Sequence, residues 1–398
     1  DFSMAELSAV YIGHLFEYST WRKLYQDKYS TYLDERYGRN EDGSFKSHTD
    51  TYYKDWFLNP TQTRDSLAER RITNRLFIQA QPWDRNGVVG TIDGGVGLDL
   101  YRYSQFTLND YLTGKQERVK RSAWFAYAGI DGKVRKYVDY GASFKIYPSG
   151  YGGDFDLRAH AAFTAFIKGK PFTLSGEFSQ TATSPGYWMD NWYSNHYMWN
   201  NDFGKENETR FNVAFTVPDH GIELGFWQSV VTNKIYYGAD CKPAQHDGAV
   251  SLTSIYAQKD FNIKGVHLNH RVLVQLTSDR TVIPVPLVSA FLSYYYEFWI
   301  KRDVLRAQIG LDGRFNTSYY ARGYNPALSV FYNQNEVEVG NYPYIDAFVS
   351  AKWKRMRILL KYQHLNNNLF GNGEAFQIAR YPLNPGMFKI GISWTFYD

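Results

Sequence analysis

The sequence predicts an all-β fold, namely a transmembrane antiparallel β-barrel of about sixteen strands. Three observations predict it: apolar and polar residues alternate along long segments, aromatic residues are abundant, and short connections alternate with long ones along the chain. Because successive side chains of a strand point to opposite faces, each segment would have one apolar and one polar face. Long strands with an apolar outside and a charged inside are what a membrane barrel requires.

The alternation is clearest in segments 154–167 and 304–318, where charged residues fall between apolar ones. The most apolar stretch, 282–300, contains Pro284 and Pro286 and also alternates, which favours a strand over a membrane-spanning helix. The mean hydropathy of −0.48 suits a barrel, because only half of each strand faces lipid.

Composition narrows the class of protein further. The chain has 34 Tyr, 27 Phe and 11 Trp, and Tyr and Trp favour the boundary between membrane and water. A net charge of only +4 gives no strong field for nucleic acid, so no nucleic-acid partner is expected. Cys241 is the single cysteine, which excludes a disulfide framework within the chain.

Each alternating segment is predicted to be one strand of the barrel wall. The predicted strands are 4–18, 70–81, 87–103, 119–131, 134–147, 154–167, 171–183, 208–218, 221–232, 248–260, 263–277, 288–301, 304–318, 342–354, 356–366 and 386–397.

Every second connection between these strands is short. The predicted short turns are Asp84–Asn86, Asp131–Lys133, Lys168–Lys170, Asp219–Gly221, Asp260–Asn262, Lys301–Asp303 and Lys354–Arg355. The longer connections are 19–69, 104–118, 148–153, 184–207, 233–247, 278–287, 319–341 and 367–385. This rhythm predicts short periplasmic turns and long extracellular loops. Residues 1–398 are therefore expected to form a single barrel domain, with missing N-terminal strands of a longer precursor as the alternative.

Three aromatic-rich stretches carry a resemblance to a known family. They are Asp55–Pro60 with Thr63–Ser66, Thr73–Phe77 running to Trp83, and Asn368–Gly371 followed by Arg380–Leu383 and Phe388–Tyr397. The chain resembles the putative porin family of Bacteroidota outer membranes. The resemblance implies a multi-pass β-barrel in the cell outer membrane, surrounded by lipid and lipopolysaccharide and able to contact other outer-membrane proteins. Segment 386–397 also resembles the C-terminal signal that hands such proteins to the barrel-assembly machinery.

Charged residues of both signs fall on the predicted inner face. The expected pore-lining residues are Asp156, Arg158, Glu177, Arg210, Glu223, Arg271, Arg306, Asp312, Arg314, Asp346 and Lys389. Rows of opposite charge across a pore would create a transverse field that orients polar solutes. Alternatively, these charges pair with neighbouring strands of a wet wall.

The loop at 184–207 is rich in aromatic residues, among them Trp188, Trp192, Tyr193 and Trp199. Aromatic faces beside Asn and Asp suit sugar rings, so this loop is a candidate glycan contact. The alternative is that the aromatic rings fold the loop inward as a plug or pack it on its neighbours.

Motifs for catalysis, cofactors or metals are not found in the sequence. His267 and His270 would point to opposite faces of a strand, so they cannot share a metal. The leading hypothesis is therefore a porin, a water-filled channel for passive diffusion of small polar solutes. The alternative is a structural or docking barrel in a larger outer-membrane complex, and a barrel enzyme is disfavoured because no catalytic constellation is present.

Overall fold

Sixteen strands form one antiparallel sheet in which each strand pairs with its neighbours in chain order. The computed structural model describes residues 9–28, 41–44, 53, 55–59, 62–82, 88–115, 117–367, 369 and 375–396. The strands are β1 Ala9–Lys28, β2 Gln62–Gln81, β3 Val89–Gln105, β4 Glu117–Val134, β5 Val138–Tyr147, β6 Asp154–Ile167, β7 Lys170–Thr183, β8 Glu206–Val217, β9 Ile222–Thr232, β10 Ala249–Ile263, β11 Val266–Thr277, β12 Val288–Lys301, β13 Leu305–Asn316, β14 Tyr344–Trp353, β15 Met356–Gln363 and β16 Met387–Trp394. The predicted fold class is confirmed.

The connections between these strands contain the remaining elements. These are α1 Leu108–Thr113, α2 Tyr187–Asp190, a 3-10 turn at Pro218–His220, and the hairpins Asn191–Tyr193 with Met198–Asn200, Ile235–Tyr237 with Pro243–Gln245, Gly323–Asn325 with Val330–Tyr332, and Phe376–Ile378 with Tyr381–Pro382. In the described part of the chain, no helix combines the length and apolarity needed to cross a membrane.

Each strand separates an apolar face from a polar one, as β13 illustrates. Ile309 and Leu311 are 54% and 48% exposed on one face, although both side chains are apolar. Arg306, Asp312 and Arg314 point to the other face, where they make ion pairs. An exposed apolar face of this kind is stable against lipid rather than water.

The sheet curls around its polar face. Leu67 on β2 is fully buried in a cluster with residues of the connections that follow β7, β9 and β13. In a flat sheet β2 and β13 would be about 50 Å apart, at about 4.8 Å per strand. Contact between these regions therefore requires the strands to wrap around a common interior, with the polar face inside.

The first two strands are longer than the sequence predicts. Segment 19–69 was expected to be a loop, but β1 continues to Lys28, which pairs with Gln62 at the start of β2. The outer face becomes polar at Thr20 and Arg22, so the alternation that marks a lipid-facing strand ends there. The backbone pairing nevertheless continues, and it carries the wall beyond the apolar belt.

Two predicted turns are wrong. Asp131–Lys133 lies within β4 and Asp260–Asn262 within β10, while the chain reverses later, at Arg135 and at Lys264. Both reversals use residues with positive φ, of 51° and 52°. The polar residues taken for turns are the inward side chains of the last strand positions. The predicted turn Asp84–Asn86 lies outside the described residues.

Candidate functional site

The inner wall carries all of the residues predicted to line a pore. Strand register places them on the polar face, opposite the exposed apolar rows: Asp156, Arg158, Glu177, Arg210, Glu223, Arg271, Arg306, Asp312, Arg314, Asp346 and Lys389. The structure thus brings them to one continuous surface. Their part in permeation stays a prediction.

Several of these charges are held by partners on the same wall. Arg158 contacts Asp156 at 2.7 Å, and Arg210 contacts Glu208 at 2.6 Å. Glu223 accepts a hydrogen bond of 2.7 Å from the Tyr256 hydroxyl. Pairs at neighbouring positions neutralise each other locally, so for these residues the structure favours the pairing alternative.

A denser network joins β13, β14 and β15. The Lys361 ammonium lies 2.8 Å from Asp312 and 2.9 Å from Asp346, and Arg314 lies 3.8 Å from Asp346. The Asp346 side chain is only 1% exposed. A buried carboxylate of this kind is stable only when cations compensate it, so this network fixes the local wall.

Charge is unevenly distributed around the wall. On the polar face of β11 to β16 the charged residues are Arg271, Glu297, Arg306, Asp312, Arg314, Asp346, Lys352, Arg357, Lys361 and Lys389. On β1 to β10 the inward carboxylates outnumber the cations. They are Glu17, Asp27, Asp65, Glu69, Asp93, Asp99, Asp131, Asp139, Asp154, Asp156, Glu177, Glu206, Glu208, Glu223 and Asp260, against Lys23, Arg71, Arg75, Arg121, Lys133, Lys145, Arg158 and Arg210. A cationic sector therefore faces an anionic one.

The long-loop end is covered by a loop cap, which we define as residues 184–205, 233–248 and 317–343. Trp192 and Trp199 stack with ring centroids 5.2 Å apart, and both are buried with Leu67, Cys241 and Leu328. These five residues come from β2 and from all three segments of the loop cap. Burying so much aromatic surface gives the loop cap a core of its own.

Asn195 fastens the loop cap to β2 and to the segment that precedes it. Its side-chain oxygen accepts hydrogen bonds from the backbone of Leu58 and Asn59, at 2.9 and 2.8 Å. Its side-chain nitrogen donates to the Asn59 carbonyl and to the Thr63 hydroxyl, and its backbone N–H donates to Asp65. Asn195 is 1% exposed, so every polar group that it buries is satisfied within the protein.

His196 makes the neighbouring contact. Its Nδ1 lies 3.0 Å from the Asp55 carbonyl oxygen, and its Nε2 lies 2.8 Å from the Thr63 hydroxyl. Since a carbonyl only accepts, Nδ1 carries the proton and Nε2 accepts from Thr63, which is the neutral ring. The ring stacks on Tyr53 at 3.8 Å. Burial lowers the pKa of His196 below its ordinary value, which also favours the neutral form.

Two further contacts hold the loop cap against the wall. The Lys23 ammonium on β1 lies 4.9 Å from the centre of the Trp192 ring, and the Trp188 indole donates a 2.9 Å hydrogen bond to Glu69 on β2. The cation above an aromatic face is attracted to it even when it is partly desolvated. The loop cap thus contacts the inner wall as well as its own loops.

The four residues predicted as a glycan contact all lie in the loop cap. Trp192 and Trp199 have their faces covered by protein, Trp188 is half-buried against Glu69, and the Tyr193 backbone bonds to Gln105. Packing therefore accounts for the aromatic content of this loop. A glycan role stays a prediction. Sequence reasoning missed Asn195 and His196, whose partners Asp65 and Asp55 lie 130 and 141 residues away in the sequence.

Solved structures resemble the chain in fold. The siderophore receptor PirA from Acinetobacter baumannii aligns with a TM-score of 0.56 and 10% identity, over 97% of this chain and 60% of its own. The copper transporter OprC aligns with a TM-score of 0.57 and 12% identity, over 85% of this chain and 58% of its own. The FpvAI–pyocin S2 complex aligns with a TM-score of 0.57 and 9% identity, over 98% of this chain and 55% of its own. The chain spans little more than half the length of these proteins. Because the sequence identity is low, this likeness shows only that the fold is shared.

The sixteen-stranded sheet and its apolar outer face define a transmembrane β-barrel, the fold that these solved structures share. A family model described as "Putative porin" matches residues 2–398. The chain belongs to this porin family, as the sequence resemblance predicted. No curated protein matches it.

Proposed function

We propose that the chain forms a water-filled channel through which small polar solutes diffuse passively across the outer membrane. One observation carries this proposal: charged side chains of both signs face the interior of a curled sheet of sixteen strands. Barrels of about this size leave room for an aqueous channel, whereas small barrels are filled by side chains. An apolar outer belt in contact with lipid and lipopolysaccharide, and assembly through β16 by the barrel-assembly machinery, belong to the same proposal.

Space for solvent lies along the wall itself. A cavity of about 430 Å³ opens between β6 and β9 and is lined by Arg158, His160, Glu177, Arg210 and Trp227, among others. Polar walls with cavities of this size favour hydrated solutes over apolar ones. The loop cap narrows the path at the long-loop end, so the solutes that pass would be small.

Conductance of the purified protein in planar bilayers tests the proposal. We expect steady steps in the wild type and larger steps in Asn195→Ala, because the variant loosens the loop cap. Asn201→Ala is the matched control, since the Asn201 side chain bonds within its own loop to the Met189 carbonyl. Silence in both the wild type and Asn195→Ala would contradict a channel.

One observation favours a second candidate, a docking barrel in a larger outer-membrane complex. The loop cap has a buried core and covers the long-loop end, as a protein that needs no open path would allow. The same bilayer experiment separates the two functions. A silent wild type with a conducting Asn195→Ala would identify a channel closed by its loop cap, whereas two silent proteins would favour docking.

A further inference from the structure

A row of three cations crosses the inner wall at the short-turn end. Arg306 on β13 lies directly opposite Lys352 on β14, and Lys352 lies directly opposite Arg357 on β15. Side chains at directly opposite positions have their Cβ atoms about 4.5–5.5 Å apart. The three charges therefore start from backbone positions within about 10 Å of one another.

Carboxylates on the wall neutralise only one of the three cations in this row. Arg306 contacts Glu297 at 2.5 Å, but Lys352 and Arg357 are exposed and have no ion pair within the residues that the structure describes. Lys389 on β16 lies opposite Lys361, four residues further into the wall than the row, and is also exposed. Like charges directly opposite one another destabilise a sheet. An added anion would relieve that repulsion.

The adjoining turns strengthen the positive potential. Lys301 ends β12, Arg302 follows it in the turn to β13, and Lys354 lies in the turn between β14 and β15, at the same end as the row. The one carboxylate in these turns, Asp303, lies 4.0 Å from Arg302, and both side chains are more than four-fifths exposed. Such an exposed pair contributes little, so the potential at this end stays positive.

We propose that Arg306, Lys352 and Arg357 form a binding site for the oxyanion group, carboxylate or phosphate, of a small solute. An arginine offers a planar fork of donors that matches an oxyanion, and a lysine adds a mobile point charge. The row lies near the mouth, where it would concentrate anions at the short-turn end. This inference rests on the proposed channel function and adds the substrate class, small anionic solutes.

Direct binding is the first test. The double variant Lys352→Gln with Arg357→Gln removes the two unpaired charges of the row. The matched control is Arg102→Gln with Lys120→Gln, because these cations also lie directly opposite one another, on β3 and β4, but on the outer face. Isothermal titration calorimetry with citrate and with inorganic phosphate measures the affinity of each protein in detergent.

We expect the wild type and the control to bind citrate more tightly than phosphate, and the row variant to bind citrate at least about tenfold more weakly. Binding should weaken in 1 M salt, where screening shortens to about 3 Å. Equal affinity in the row variant and the control would overturn the site, and so would a wild type that binds neither anion.

Ion selectivity is the second test and separates the site from the channel. Reversal potentials under a potassium chloride gradient give the anion-to-cation permeability ratio. We expect the row variant to lower this ratio about 16-fold at low salt, since two unit charges about 10 Å from a passing ion attract an anion and repel a cation to the same extent through water, and the control to leave it unchanged. A conducting row variant with an unchanged ratio and unchanged citrate binding would overturn the site. A silent wild type that still binds citrate would contradict the channel and support the site.

Discussion

The two ends of the wall solve the problem of inward charge in opposite ways. At the long-loop end, Asp65 accepts from the Asn195 backbone, and Lys23 lies against the Trp192 ring. At the short-turn end, Lys352 and Arg357 are exposed and lie directly opposite one another. Loops supply partners for the charges of the first end, whereas turns of two or three residues are too short to reach the charges of the second.

This difference teaches how one barrel wall can be narrowed by packing at one end and carry exposed charge at the other. The long-loop end is built like a protein core, with stacked indoles and satisfied amides, so in the proposed channel it would limit the size of the solutes that pass. The short-turn end carries the exposed cations Lys352 and Arg357, so in the proposed channel it would favour anionic solutes. Electrostatic attraction of this kind extends over about one Debye length, roughly 10 Å at 0.1 M salt.

The wall between the two ends must face lipid for the comparison to hold. Ile309 lies in the middle of the outer row of β13, so Ile309→Arg places a cation against hydrocarbon. We expect it to lower the free energy of unfolding by about 2–4 kcal/mol. Gln308→Arg, one position along and facing inward, should cost far less. Urea titration in bilayers compares the two variants, and equal stabilities would contradict the assignment of faces.

The long-loop end should loosen when its central amide is removed. Asn195→Ala removes five side-chain hydrogen bonds, to Leu58, Asn59, Gln62 and Thr63, and leaves buried groups without partners. We expect local opening of residues 55–59 to become easier by about 2–3 kcal/mol, since each buried group left unpaired costs about 1–3 kcal/mol. Hydrogen exchange of the Leu58 and Asn59 amides measures it. Unchanged protection, or the same loss in the Asn201→Ala control, would show that Asn195 does not hold the loop cap.

A smaller effect is expected from pH. Burial lowers the pKa of His196 from its ordinary 6.5, so below 6.5 the undocked loop binds more protons than the docked one. Docking of the loop is therefore fully favourable above pH 6.5 and weakens as the pH falls from 6.5 towards the lowered pKa of His196. The nearby charge of Asp27 opposes the lowering of this pKa. Protection factors of residues 55–59 at pH 5 and pH 7.5 measure the change. His196→Gln should remove the pH dependence, and a dependence that survives in this variant would assign it to another group.

Sequence patterns predict the wall well because alternation is a local property. The number of strands, the inward position of Asp312 and the outward position of Ile309 all follow from a period of two. The pairing of Lys352 with Arg357 across neighbouring strands is also predictable, since both are equally far from the two-residue turn Lys354–Arg355. The pairing of Arg306 with Lys352 is not predictable, because a long connection separates their strands and leaves the strand register open.

The contacts of the loop cap could not be predicted, because they join residues that are far apart in the sequence. Asn195 and Asp65 are 130 positions apart, and no local pattern around either residue indicates the contact. The aromatic residues of this loop did signal burial or binding, but the choice between the two depends on what lies opposite them. The structure supplies that partner, namely Leu67 with the stacked Trp192 and Trp199.

The difference in access between the two ends is measured most directly with thiols. Cys241 is the single cysteine and is buried in the loop cap, where burial raises its pKa and lowers its reactivity. Ser393 on β16 is exposed and lies directly opposite Arg357 on β15. The variant Ser393→Cys, made in a Cys241→Ser background, therefore places a thiol at the short-turn end. We predict that the anionic reagent sulfonatoethyl methanethiosulfonate modifies Ser393→Cys at least about tenfold faster than Cys241 in the wild type. Equal rates at the two positions would contradict the account of a tightly packed long-loop end and an accessible cationic short-turn end.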